Sequence, residues 1–149
     1  MILYRQATDE DFEFTFKIKT SSTKKIVEKI WGWDDDIQLD YHTNQFNSNK
    51  IKIIIEGTQE VGYISTSITG NILFIENILV DPDFQGRNIG TRVLLDTIET
   101  AFEYNKIIEL QVLKINTRAI KLYECLNFQT FEQTELHYKM RYKEMEVQH

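Results

Sequence analysis

Residues 79–91, Leu-Val-Asp-Pro-Asp-Phe-Gln-Gly-Arg-Asn-Ile-Gly-Thr, carry the residue types needed to hold an anion. An apolar run stops at Pro82, the only proline in the chain. A polar loop then sets Gly86 and Gly90 around Arg87 and Asn88, and an amphipathic segment begins at Ile89. The start of a helix leaves amide hydrogens unpaired and carries about half a positive charge. Glycine lets a ligand come close to that backbone because no Cβ intervenes. Arg87 would add a mobile charge at the rim. An ordinary strand-to-helix turn uses the same glycines, and on spacing alone the two readings stand level. The loop has neither the G-x-G-x-x-G nor the phosphate-loop lysine pattern, which argues against dinucleotide and NTPase sites. A second group with chemistry is Glu76, a carboxylate inside the apolar run Phe-Ile-Glu-Asn-Ile-Leu-Val, sharing a face with Phe74, Ile78 and Val80. A buried carboxylate is costly unless it is used or paired. Glu76 is therefore either a general base, directly or through water, or half of a structural ion pair.

Positioning these groups requires particular elements. Residues 2–7 read as a strand. Thr8 reads as an N-cap, with Asp9, Glu10 and Asp11 favourable at the positive end of the helix that follows. Residues 21–46 read as two helical pieces broken near Gly32 and restarted by Asp34 or Asp35. Residues 50–80 read as three strands, turning at Glu56-Gly57 and Gly70-Asn71. From Ile89 onward, Ile89, Val93, Leu94, Ile98, Ala101 and Phe102 fall on one helical face. Residues 107–113 form a buried strand, Asn116 starts a short helix, and residues 128–142 hold two more strands. This order predicts an α/β domain with a mixed sheet and a parallel strand pair flanking the helix after Gly90.

Bulk properties narrow the function. A chain of 149 residues suits one domain over 1–149, with no linker, repeat or low-complexity tract. A net charge of −6 opposes a partner gripped through nucleic-acid phosphates or anionic lipid. The single cysteine, Cys125, excludes an internal disulfide and fits a reducing compartment. No secretory pattern opens the chain and no apolar run reaches membrane-span length, so the expected location is cytoplasmic. The three histidines lack metal-ligand spacing, and no metal is expected. The charged tail from Tyr142 to His149 reads as a solvated end.

Residues 85–90 resemble the Q/R-x-x-G-x-G/A motif of the GNAT acyltransferase superfamily, preceded by a V-x-P pattern matched by Val80-Asp81-Pro82. Residues 116–128, Asn-Thr-Arg-Ala-Ile-Lys-Leu-Tyr-Glu-Cys-Leu-Asn-Phe, are similar to that family's N-x-x-A-x-x-x-Y-x-x-x-G-F block. With the matching element order, the resemblance covers essentially the whole chain. It implies a mixed, mostly antiparallel central sheet flanked by helices, whose parallel strand pair splays to admit acetyl-CoA. By the same resemblance, the pyrophosphate would sit on the loop around Gln85 and Gly86, on the amides of Arg87, Asn88, Ile89, Gly90 and Thr91. Pantetheine would pair with the backbone edge of Ile78, Leu79 and Val80. Asn116 would reach the pantetheine arm. Tyr123 would lie near the thioester sulfur as general acid, with Glu76 as base. Two residues depart from the family pattern: Asn88 and Asn127 stand where it has glycine. Asparagine is the non-glycine residue that best tolerates a left-handed backbone.

The segment Trp-Gly-Trp-Asp-Asp-Asp-Ile-Gln-Leu-Asp-Tyr-His, residues 31–42, falls where the family's variable helices cover the acceptor. One reading makes Trp31, Trp33, Asp34 and Tyr41 an aromatic, negatively rimmed pocket for an amine. The other makes Gly32 a helix break, the aspartates a cap and the tryptophans core, with His42 a surface or packing residue. The resulting expectation is an acetyl-CoA-dependent N-acetyltransferase acting directly on an amine of a small molecule or peptide. Cys125 reads as a packing residue rather than a nucleophile. A binding module of the same fold without turnover, another acyl donor and a hydroxyl acceptor stay open as alternatives. So does the choice between monomer and homodimer.

Overall fold

The structure, a computed structural model, describes residues 1–144. Residues 145–149, and with them most of the charged tail, lie outside the described residues. In chain order the elements are β1 (Ile2–Gln6), α1 (Phe12–Trp31), α2 (Asp35–Gln45), β2 (Ile51–Glu56), β3 (Gln59–Thr69) and β4 (Ile72–Val80). Then come α3 (Ile89–Glu103), β5 (Ile107–Leu113), α4 (Thr117–Cys125), β6 (Phe128–Gln133) and β7 (His137–Tyr142). The strands form one mixed sheet in the order β1-β2-β3-β4-β5-β7-β6. Contacts divide the chain into two compact units. The first holds Met1–Thr66 and Asn77–Leu94, and the second holds Ser67–Glu76 and the chain from Leu95 onward.

In the first unit, local chemistry sets the element boundaries. Thr8 accepts the N–H of Glu10 and donates its own N–H to Asp11 at 2.8 Å, a capping box at the turn that leads into α1. Arg5 clamps the same Asp11 carboxylate with two bonds of 2.8 and 2.9 Å. These bonds, Arg5's above all, hold the Asp11 carboxyl below its usual range. α1 runs unbroken for 20 residues, longer than the sequence pattern suggested, and stops where Gly32 takes φ 74°. Asp34 then caps α2 by accepting the N–H of Ile37 at 3.1 Å. β1, β2 and β3 pair antiparallel, with a bulge in β3 opposite Ile54 and Ile55. One apolar cluster joins Ile54, Val61, Ile64 and Val80 to Ile89 and Val93 at the start of α3. Another joins Ala7, Ile18, Ile51, Ile53 and Tyr63.

In the second unit, β4 and β5 pair in parallel, Ile72 to Ile75 against Ile107 to Leu110, over part of the nine residues of β4. A parallel pair needs a crossover, which α3 supplies. β5 pairs antiparallel with β7, and β7 with β6. β5 is not buried throughout, as its apolar run suggested. Ile108, Leu110 and Val112 point inward while Ile107 is exposed, the alternation of a strand covered on one face. Phe102 is likewise not on the buried face of α3. It is 69% exposed, one residue past the buried Ala101.

Candidate functional site

The junction from β4 to α3 lies entirely in the first unit. After β4, Asp81 caps a short turn at Pro82–Phe84 by accepting the N–H of Asp83 at 2.9 Å. Gly86 (φ 85°) and Asn88 (φ 60°) then take left-handed conformations on either side of Arg87. Alternating left- and right-handed residues turn successive amide hydrogens towards a common concavity able to receive an anion. Asn88 also starts the helix, its carbonyl accepting the N–H of Arg92 at 3.0 Å. Buried Ile89, Val93 and Leu94 anchor that first turn, so the amides above it are held in place. At Gly90 a Cβ would meet no protein atom within 4 Å, so the space beside the first turn is open. This cradle is what a phosphate group on a bound cofactor would require.

Side chains around the junction are held by local bonds. Arg87 pairs with Glu56 at the end of β2 (3.0 Å) and lies over the ring of Phe84 (5.4 Å to the centroid). Gln85 turns back and donates its side-chain N–H to the Val80 carbonyl at 3.0 Å. Ser22 of α1 donates to the same oxygen at 3.0 Å. The carbonyl of Leu79 lies against Gly62 of β3, where a Cβ would collide with it, and Asp81 donates its N–H to Val61 of β3. Of the three edge residues expected to pair with pantetheine, Leu79 thus turns its carbonyl to β3, and the Val80 oxygen already accepts two bonds. The role of Ser22 was not visible in the sequence. Thr-Ser-Ser-Thr in a helix gives no sign of which hydroxyl leaves its own helix.

Three other expected residues, Glu76, Asn116 and Tyr123, lie in the second unit. Asn116 is the N-cap of α4, its side-chain oxygen accepting the N–H of Ala119 at 3.3 Å. Tyr123, on α4, packs its ring at a tilt against Phe128 with centroids 5.9 Å apart, and burial pushes its phenol up. The phenol therefore holds its proton at neutral pH, the state a general acid requires. Asn127, after the helix, takes φ 71° as the left-handed closing residue. Cys125 is exposed rather than packed. Glu76 is half-buried in β4 and engaged by a neighbouring group.

The tryptophan segment belongs to the first unit; the break at Gly32 and the cap by Asp34 are as the second reading expected, but the tryptophans are not core. Trp31 is 60% exposed, not core. Trp33 donates its indole N–H to Asp35 at 2.7 Å, and Lys24 of α1 stands 5.7 Å from the centre of its ring. Lys19 of α1 stands 4.9 Å from the centre of the Tyr41 ring. Each ring thus has one of the protein's own lysines beside it. His42 is buried, not superficial, boxed by Phe12, Phe16 and Phe46 and bonded to the Thr15 hydroxyl at 3.1 Å.

A mixed sheet, a parallel pair with one helix in its crossover, and a loop with two left-handed residues where that helix begins together describe an α/β fold. The sequence model of the acetyltransferase (GNAT) family matches residues 12–128, and the chain belongs to that family. It is 31% identical to a thialysine N-epsilon-acetyltransferase of Mus musculus over an alignment of 86 residues that covers 54% of this chain and 51% of that protein. The chain thus spans about half the length of that relative. The fold is similar to a PaiA N-acetyltransferase from Thermoplasma acidophilum in complex with coenzyme A, with a TM-score of 0.80, 16% identity and 97% and 99% of the two chains covered. It is also similar to the ribosomal-protein-S18-alanine N-acetyltransferase of Escherichia coli, with a TM-score of 0.71, 19% identity and 95% and 93% covered.

Proposed function

We propose that the protein is an acetyl-CoA-dependent N-acetyltransferase, with the chain acting as one domain, that transfers acetyl directly to an amine of a small molecule or peptide. The observation that carries this reading is the cradle of residues 86–91, with two left-handed residues and open space beside Gly90. Family membership supplies the ligand that fits it, and the matched span of 12–128 draws on both units. The cofactor's pyrophosphate is placed on the amides of residues 87–91. Its pantetheine is placed along Ile78 and the N–H of Val80, since Leu79 faces β3 and the Val80 oxygen is engaged.

The reaction needs the amine as a free base. Its nitrogen attacks the thioester carbonyl carbon, the carbon–sulfur bond breaks, and the sulfur leaves as thiolate. Glu76, directly or through water, takes the amine's proton, and the Tyr123 phenol protonates the thiolate. The products are an N-acetylated amine and coenzyme A, with no acyl-enzyme. Relatives named for thialysine and for a protein's alanine support an amine acceptor. The test is release of free thiol from acetyl-CoA in the presence of peptides, polyamines, amino acids and aminoglycosides. Turnover with at least one amine is expected. Tight binding of acetyl-CoA with no thiol release from any acceptor would favour a binding module instead.

A further inference from the structure

We propose that Ser22 is a positioning residue for the cofactor loop. Acting through the Val80 carbonyl, it fixes where β4 ends and so how the amides of residues 86–91 are aimed. This rests on the acetyl-CoA reading above for what the loop binds. α1 carries the run Thr20-Ser21-Ser22-Thr23. Hydroxyls in a helix commonly bond back to the carbonyl four residues earlier. Ser21 does so to Lys17 at 2.9 Å, and Thr23 to Lys19 at 2.6 Å. Ser22 instead leaves its helix and donates to Val80, 58 residues away in sequence.

The acceptor is well placed to matter. Val80 is the last residue of β4, and the loop begins at Asp81. Backbone groups alternate in direction along a strand. The Asp81 N–H goes to Val61 of β3 at 2.8 Å, and the Val80 carbonyl turns away from β3, where Ser22 and Gln85 both meet it at 3.0 Å. A carbonyl oxygen has two lone pairs, and these two donors use both. The strand end is therefore tied to β3, to α1 and, through Gln85, to the loop itself. Gln85 acts here as the inner half of the tie rather than as a ligand contact. The tie also links α1 to the cradle.

Hydrogen exchange on the ligand-free full chain tests this, alongside calorimetry with desulfo-CoA and melting curves. Alanine favours helix over serine, so Ser22→Ala removes the hydroxyl without weakening α1. The expected result is exchange about five-fold faster in residues 81–91, with no comparable rise elsewhere and a melting temperature lowered by at most about 4 °C. Desulfo-CoA should bind about five-fold more weakly, the factor that corresponds to losing one net hydrogen bond of about 1 kcal/mol. Ser22→Thr, which keeps the donor, should restore both. Loop exchange equal to wild type in Ser22→Ala would overturn the inference. So would a uniform rise along the whole chain, which marks a general packing role. A faster loop in a protein whose wild type does not bind desulfo-CoA would leave the tie standing and remove the acetyl-CoA reading instead.

Discussion

At position 90 the demands of the protein and those of a ligand separate. A Cβ there would touch nothing within 4 Å, and the backbone is not left-handed, so the fold does not require glycine. Gly90→Val should therefore melt close to wild type, since valine is, by a few tenths of a kcal/mol, a better helix residue than glycine. Its branched side chain would fill the cradle, and we expect desulfo-CoA affinity to fall by roughly ten-fold or more, in line with the crowding expected where backbone meets ligand. Unchanged affinity by calorimetry in the folded variant would remove the pyrophosphate from this loop. Tyr123 makes the complementary case. Burial holds its phenol protonated, so Tyr123→Phe should keep cofactor affinity within a few-fold and lower kcat by on the order of 10²-fold. Equal rates with chemistry limiting would exclude it as the acid. Much at this scale was legible. Asn88 and Asn127 were read as left-handed stand-ins for glycine, and they take φ 60° and 71°. The bonds of Gln85 and Ser22 to Val80 were not legible, because a donor's partner depends on which backbone oxygen the fold brings within 3 Å.

At the scale of elements, caps and turns were readable because their causes are local. Thr8, Asp34, Gly57, Gly70 and Asn116 each act within a few residues of themselves. The pairing of α1 with α2 was less so, and His42 shows why. The sequence places it on a polar helix, but three phenylalanines and Thr15 enclose it in the fold. Burial pushes the imidazole below its ordinary value, and the nearby charge of Lys19 adds to this. The sign of the effect on stability follows. The folded state favours neutral His42, so below about pH 6.5 the unfolded chain binds more protons. Stability should then fall as pH drops from the ordinary histidine value towards the lowered folded one. Urea midpoints measured from pH 7.5 to 5 should show this slope, and His42→Leu should flatten it even though that variant is less stable throughout. An identical slope in His42→Leu would assign it to other groups. Asp11 loses its contribution only at lower pH, since its depressed carboxyl stabilises the fold above the ordinary carboxylate range.

For the molecule as a whole, the sequence order of elements was readable but the spatial order of strands was not. Nothing local says that β7 inserts between β5 and β6, because that pairing is set by non-local registers such as Glu109 with Arg141. Charge is the other property of the whole chain, and it bears on the substrates. A net charge of −6 repels an anionic cofactor at long range and attracts a cationic amine. On the proposed reading an anionic cofactor would have to be held by short-range contacts, the role proposed for the amides of residues 87–91. For the amine, the aromatic rings of Trp33 and Tyr41 already have Lys24 and Lys19 beside them, and those charges oppose an incoming ammonium. Its attraction should come instead from the protein's overall field, which salt screens beyond about 8 Å at physiological strength. The two Michaelis constants should therefore respond to salt in opposite senses. Raising ionic strength should increase KM for a cationic amine and should lower, or leave unchanged, KM for acetyl-CoA. Two-substrate kinetics over a salt series read both at once, with a neutral amine of similar size as the control. If the cationic and neutral amines respond alike, the protein's charge does not select its acceptor. The preference must then lie in short-range contacts that salt does not reach.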